Sequence, residues 1–297
     1  MTPISIPCGR CVGCRLEKAR QWAVRIMHEA KCHQDSSFIT LTFDDQHLGN
    51  LRSCISCRYL LPGLCVCICQ SFLKKLRERI QPKELCWQRK KIRFFLAGEY
   101  GEKTGRPHYH AIIFGFGFPD KRRLKGEGER ALYTSSLLSE VWGAGFASVG
   151  SVTFDSASYV ANYAQKKVTG HASDGRSAQE IYGGRRPEFL LMSRRPGIGN
   201  SWFQRYRSDV YPRDEVIVRG RRARPPRYYD KLIADLDPVL FESIRGRRAD
   251  VANTLEEYVD RSGVRHMVAP SRNAQRLAVR EVCAKAKLAQ KTRKLGD

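Results

Sequence analysis

The stretch RPHYHAIIFG, residues 106–115, decides the fold. From His108 to Gly115 it is rich in β-branched and aromatic residues and reads as a strand bounded by Pro107 and Gly115. Residues i and i+2 of a strand point to one face. His108 and His110 therefore project together, and Tyr109 packs on the opposite face. Upstream, Ile92–Gly98 reads as a second strand. The segment between them, Glu99–Pro107, holds two glycines and a proline and suits a β-hairpin loop. A hairpin pairs its strands antiparallel.

Working outward, Phe38–Phe43 (FITLTF) and Phe146–Phe154 read as strands, and Phe189–Met192 adds a short one. Apolar residues recur at helical spacing in Leu16–Ala30 (Trp22, Ile26, Met27, Ala30), in Ser71–Ile80 and in Leu132–Val141. Asp155 or Ser156 is the expected N-cap of a helix running to Val168. Residues 44–69 read as a loop carrying most of the cysteines. Arg213–Arg227 contains six arginines together with Pro225 and Pro226, and reads as a basic linker or arm. Beyond it, Leu232–Leu240, Leu255–Tyr258 and Leu277–Leu288 have helical spacing. The pattern predicts an α+β protein, an antiparallel sheet with helices on one face and a basic, largely helical C-terminal extension.

Lys and Arg number 53 against 30 Asp and Glu, a net charge of +23 over 297 residues. With 42% apolar residues the chain can bury a core, so the charge points to a polyanionic partner, nucleic acid before a membrane surface. The longest apolar stretches, Tyr59–Cys69 and Ala111–Phe118, fall short of the roughly 20 residues that span a bilayer. No secretory signal is read at the N-terminus, so the 11 cysteines suggest a reducing compartment. Cys8, Cys11 and Cys14 form C-x2-C-x2-C, and Cys54 and Cys57 a second C-x2-C. The first three with one of the second pair would make a four-thiolate structural Zn²⁺ site. Buried, reduced thiols packed as small hydrophobes are the alternative.

Two histidines on one strand face can hold one ion, and a hard divalent cation such as Mg²⁺ or Mn²⁺ would want oxygen as well. Glu99, folded back by the hairpin, is the first choice for that carboxylate, and Glu102 is the second. In YVANYAQKK (159–167), Tyr159 and Tyr163 are four apart and share a helix face, with Lys166 and Lys167 on the same side. Those ammonium groups and a metal-polarised phosphate would activate a tyrosine as nucleophile. An amphipathic helix with packed tyrosines is the plainer reading. Spacing does not order the two tyrosines, and the nearby lysines favour Tyr163 for the first cut. Arg194 and Arg195 in RRPGIG suit close approach to a DNA backbone, or a tight turn. No H-E-x-x-H occurs, which excludes the common metalloprotease pattern.

FITLTF, RPHYHAIIFG and YVANYAQKK, in this order, resemble the three motifs of the HUH endonucleases, in the two-tyrosine branch. PCGRCVGCR (7–15), TFDDQHL (42–48), GEYGEKTGRPHYH (98–110) and MSRRPGIGNSWF (192–203) extend the likeness to the replication initiators of microviruses, gokushovirus type, over roughly residues 7–210. The resemblance implies a ferredoxin/RRM-like antiparallel sheet, with His108 and His110 as metal ligands on a central strand and Tyr159 and Tyr163 as nucleophiles on a helix above it. It implies rolling-circle initiation on single-stranded or melted origin DNA in the host bacterial cytoplasm, through a 5′-phosphotyrosine link and religation. A host helicase and polymerase are implied as well, since no Walker A loop or polymerase signature is present. The organisation expected is a Cys-rich segment and helix (1–36), the endonuclease domain (37–210, with a Cys-rich insertion at about 49–69) and a basic linker with helical tail (211–297). A non-catalytic nucleic-acid-binding module with a zinc site is the rival reading, and another HUH enzyme, a transposase or relaxase, is a second.

Overall fold

The strand read from RPHYHAIIFG forms as Pro107–Phe114 and lies inside a seven-stranded sheet. A computed structural model describes residues 8–9, 11–49, 63–81, 91–101, 104–166, 178–259, 262–268 and 274–295. The chain divides into two compact units. One spans Lys18–Arg207, and the other takes Ser208–Asp297 together with the chain up to Glu17.

In the larger unit the order is α1 (Val12–Ala30, begun in the other unit), β1 (Ser36–Thr42), α2 (Asp45–Gly49), α3 (Val66–Ile80), β2 (Arg93–Tyr100), β3 (Pro107–Phe114), β4 (Arg122–Lys125), β5 (Leu132–Thr134), α4 (Ser136–Trp142), β6 (Ala147–Gly150), α5 (Phe154–Lys166), α6 (Ala178–Tyr182), β7 (Phe189–Met192) and α7 (Asn200–Val210). The sheet order is β4-β5-β6-β1-β3-β2-β7, and every pairing is antiparallel. The α+β class and the hairpin are as expected.

Helices cover both faces, not one. Alternation divides the strands into two apolar sets. Ile39, Leu41, Leu96, Tyr109, Ala111 and Ile113 pack with α3 and α4, while Phe95, Ala97, Ile112 and Phe114 pack with Ala23 and Ile26 of α1 and Ala157 and Val160 of α5. An inner strand apolar on both sides needs a layer on each, and β2 and β3 are such strands.

Tyr109 is fully buried, and its hydroxyl accepts from the Cys65 backbone N–H (3.0 Å) and donates to the Cys65 carbonyl (3.3 Å). It so satisfies backbone groups where α3 begins. Gly98, its register partner, must lack a side chain. A Cβ there would stand 3.1–3.2 Å from Phe189, Leu64 and Tyr109.

Several local readings are corrected. Within 44–69 the loop is interrupted by α2, and α3 starts at Val66, so Cys67 and Cys69 sit on a helix. Leu132–Val141 divides into β5 and α4 because Ser135 caps a new helix by accepting from Leu138 N–H at 3.1 Å. The strand read over Phe146–Phe154 ends at Gly150. The α5 cap is Thr153, whose Oγ1 accepts from Ser156 N–H (3.2 Å) while Ser156 Oγ accepts from Thr153 N–H (2.8 Å), a reciprocal capping box. Val168 lies outside the described residues.

In the second unit the arginine-rich stretch forms a hairpin, β8 (Val216–Val218) with β9 (Arg221–Ala223), where a linker was expected. Then come α8 (Arg227–Leu236), α9 (Pro238–Asn253), β10 (Glu256–Val259), β11 (Arg265–Val268) and α10 (Ala274–Leu295). Leu255–Tyr258, read as helical, runs into β10, which pairs with β11. Arg248 on α9 clamps Asp214 and Asp230, and Tyr211 Oη donates to Asp230 at 2.7 Å. These carboxylates hold the Arg248 guanidinium charged, and burial keeps the Tyr211 hydroxyl protonated.

Candidate active site

Register assembles the centre. Directly opposed residues of an antiparallel pair share a face. His110 opposes Thr40 of β1 and Ala97 of β2, and His108 opposes Thr42 and Glu99. Glu99, His108 and His110 thus rise from one face, the face that α1 and α5 cover. Glu99 sits on β2 itself, not in the hairpin loop. Glu102 lies outside the described residues.

The three side chains converge. Glu99 Oε1 is 2.5 Å from His108 Nε2 and 2.8 Å from His110 Nε2. Each contributes a ligand atom within 4.8 Å of the others. Glu99 and His110 are buried, whereas the His108 side chain is 18% exposed, which leaves the centre open on that side.

The donor set fits a cation. The Arg106 carbonyl, 3.1 Å from His108 Nδ1, can only accept, so Nδ1 carries the proton. In the neutral ring Nε2 is then a lone pair facing a carboxylate oxygen. Thr40 Oγ1, a group that both donates and accepts, lies 3.0 Å from His110 Nδ1 and fixes the orientation of that ring. A ring-nitrogen lone pair and a carboxylate turned on one point repel unless a proton or a metal ion lies between them. Outer oxygens that fix the ring orientation are the usual setting of metal-binding imidazoles. Burial pushes the Glu99 carboxyl up, but the hydrogen bonds and charges of the two histidines outweigh it and hold it below the usual carboxylate value.

Tyr159 of α5 reaches the same point. Its Oη is 3.4 Å from both Glu99 Oε1 and His110 Nε2. Its ring meets His110 edge-on (centroids 5.0 Å apart), and Phe38 stacks on His110 while touching Tyr159 edge-on. Phe38 therefore orients both rings. Tyr163 and Lys166 lie on α5 as expected, Tyr163 one turn beyond Tyr159. Lys167 lies outside the described residues. Tyr109, between the two histidines on β3, points to the opposite face, and burial raises its hydroxyl far above the ordinary value.

Two arginines tie down the β2–β3 hairpin. Arg106 donates to the Phe43 carbonyl (3.0 Å) and pairs with Asp45. Arg185 donates to the Gly105 carbonyl (3.4 Å) and stacks over Tyr100 at 4.4 Å. Neither was singled out in the sequence. Arg185 reaches the β2–β3 hairpin through β7, which pairs with β2, Phe189 opposite Gly98. Its one sequence signal was the glycine-flanked dibasic stretch Gly183–Arg186. The expected pair, Arg194 and Arg195, is exposed on the turn after β7, where Ser193 N–H meets the Phe94 carbonyl. That is beyond the far end of β2 from Glu99, at least four residues or about 13 Å along the strand.

Cys8, Cys11 and Cys14 form a second group of mutually close ligand atoms. Cys54 and Cys57 lie outside the described residues. None of the described cysteines is in a disulfide. Among the described residues no helix is long and apolar enough to cross a membrane.

The comparisons with known proteins define the class. A family model for replication-associated proteins of the ORF2 type matches residues 36–168, the segment that carries the whole centre. The replication-associated protein VP4 of Bdellovibrio phage phiMH2K is 33% identical over 231 residues, covering 77% of this chain and 67% of that protein. The replication-associated protein ORF2 of Spiroplasma virus 4 is 30% identical over 259 residues, 84% of this chain and 74% of that protein. The replication-associated protein ORF4 of Chlamydia phage 1 is 29% identical over 262 residues, 84% of this chain and 60% of that protein. No solved structure matches. The chain belongs to the family of phage replication-associated proteins, the replication initiators of microvirus type.

Proposed function

We propose that the protein starts rolling-circle replication by nicking single-stranded or melted origin DNA, with Tyr159 as the attacking group. The observation that carries this reading is the single point shared by Glu99 Oε1, His110 Nε2 and Tyr159 Oη, with 3.4 Å from the hydroxyl to each of the other two. A divalent ion, Mg²⁺ or Mn²⁺, held by Glu99, His108 and His110 would polarise a phosphate oxygen and stabilise the negative charge that develops on the phosphoryl oxygens.

The chain's own groups do the rest. Tyr159 Oη bonds to phosphorus while the bond from phosphorus to the 3′ oxygen breaks. The phenolic proton leaves toward the carboxylate that the hydroxyl already faces. The 5′ phosphate stays on Tyr159, and the released 3′ hydroxyl serves a host polymerase behind a host helicase in the bacterial cytoplasm. The phosphotyrosine conserves the energy of the cut bond, so the reverse attack religates the strand without ATP. Tyr163, one turn on, is the second nucleophile that cuts the regenerated origin. This order reverses the preference drawn from the lysines, because contact with the ligand atoms outweighs sequence proximity to Lys166 and Lys167.

Arg106 and Arg185 neutralise the strand as it enters beside His108. In this reading residues 37–210 cut, α1 from Lys18 onward backs the sheet, and the basic 211–297 segment adds salt-sensitive contacts to DNA phosphates. The assignment is tested by trapping the covalent adduct, removing the DNA with nuclease and mapping the residual nucleotide. Recovery on Tyr159 in a first-cut reaction is expected. Recovery on Tyr163 alone would overturn the order.

A further inference from the structure

We infer that Cys8, Cys11 and Cys14 form a second metal centre, a three-thiolate nest at the start of α1 for one thiophilic divalent cation of the zinc type. Their Sγ atoms lie within 4.8 Å of one another. Zinc–sulfur bonds of about 2.3 Å place tetrahedral thiolates about 3.8 Å apart, so a small closure suffices to bring all three onto one ion. A polynuclear iron–sulfur cluster sets each thiolate on a different iron and spreads the sulfurs more widely.

The backbone turns the sulfurs inward. Cys11 N–H points to Cys8 Sγ (3.2 Å), and Cys14 N–H points to Cys11 Sγ (3.5 Å). Each is a contact three residues back, the geometry that C-x2-C spacing allows. Gly9 takes a φ of +73° with open space around it, so glycine serves the turn and not the packing. Cys11 immediately precedes α1, and the free N–H groups and dipole of a helix start favour anionic ligands. Cys8 is exposed, which gives an ion access. Three thiolates gathered without a cation repel one another, and one divalent ion removes that cost.

The two centres differ in donor chemistry. Sulfur selects zinc, while imidazole with carboxylate suits Mn²⁺ or Mg²⁺. The fourth position on the thiolate centre takes water or an added ligand. The inference does not depend on the nicking reaction.

The test uses the full chain purified under reducing conditions. Elemental analysis should find one zinc per chain, retained in Glu99→Ala. Exchange for Co²⁺ should give a near-ultraviolet sulfur-to-cobalt charge-transfer band of three-thiolate intensity. Cys8→Ser, which lies outside α1 and spares the helix, should reduce that band by about a third, and the triple Cys8→Ser/Cys11→Ser/Cys14→Ser change should abolish it. Cys67→Ser should leave it intact. Chains free of zinc, a band that persists in the triple variant, or a band lost in Glu99→Ala would each overturn the inference.

Discussion

Glu29 and Glu99 are both buried in the same unit and both meet histidine, yet they do opposite work. Glu29 on α1 accepts from Arg93 Nε (2.5 Å) and Gly199 N–H (2.6 Å), with His33 Nε2 at 3.2 Å. Arginine and backbone amide carry permanent protons, so this carboxylate is satisfied in every state of the site. It anchors the loop behind Arg194 and Arg195, with Arg93 also reaching the Pro196 carbonyl and Arg25 the Ile198 carbonyl. The described partners of Glu99 are two imidazoles and a phenol, each of which can surrender a proton or bind an ion. A buried carboxylate held by permanent donors is architecture. One held by exchangeable donors that converge on a single oxygen is where the proposed reaction is placed. His28 marks the third case, an imidazole buried against Trp202. Burial and Lys31 push its pKa down to about 3, so it packs as a neutral ring.

The contrast breaks most sharply under substitution. Glu99→Gln should slow metal-dependent strand cleavage by about a thousandfold, near 4 kcal/mol of barrier. Its unfolding free energy in chelator should fall by only about 1 kcal/mol, because the amide keeps the carboxylate's shape and can still hydrogen-bond the two rings. Single-turnover rates and urea titrations measure the pair. Glu29→Ala should show the reverse, losing about 3 kcal/mol or more of stability by stranding Arg93 while Mn²⁺ affinity is retained. Calorimetry with metal titration separates the two, and equal losses of both quantities in either variant would erase the distinction.

Smaller effects sharpen it. Tyr109→Phe removes two hydrogen bonds to the Cys65 backbone on the face away from the centre. It should cost about 1–3 kcal/mol of stability with cleavage unchanged. Acid behaviour gives a further check. Burial raises Glu29, but His33, Gly199 and Arg93 outweigh it and hold it below its ordinary value of 4.5. Its contribution is therefore present above that pH and is lost as pH falls through the depressed folded value. His28, lowered on folding, also loses stability as pH drops below its ordinary 6.5. The difference between wild type and Glu29→Gln across this range isolates the carboxylate, and the variant should show the shallower acid limb. Arg194→Ala with Arg195→Ala should reduce the salt slope of DNA binding by about two and leave cleavage at saturating DNA unchanged. Arg185→Ala, which removes a contact to the Gly105 carbonyl in the hairpin that precedes His108, should lower cleavage as well.

The sheet and the convergence of Glu99, His108 and His110 were legible because both rest on short-range rules. Alternation put His108 and His110 on one face, and a glycine-bearing hairpin returned Glu99 to them. Tyr159 was legible as one of a pair, but its approach to Glu99 and His110 depends on the seat of α5 on β2 and β3, which no local pattern encodes. The second helical layer was missed although Leu96, Ala111 and Ile113 alternate with Phe95, Ile112 and Phe114. A strand apolar on both sides does not announce which helices will cover it. Arg185 was missed because 77 residues separate it from His108 and only the β2–β7 register joins them. The Arg213–Arg227 hairpin was hidden by its charge, since Val216, Ile217 and Val218 are too short a run to outweigh six arginines.

The most direct test mixes the protein with circular single-stranded DNA bearing its own origin and Mn²⁺, then resolves the products on a denaturing gel. A DNA–protein adduct that survives boiling, is absent in chelator and is lost in Tyr159→Phe is the expected result. No adduct from folded protein that still binds the DNA would contradict the nicking mechanism and leave a nucleic-acid-binding module in its place.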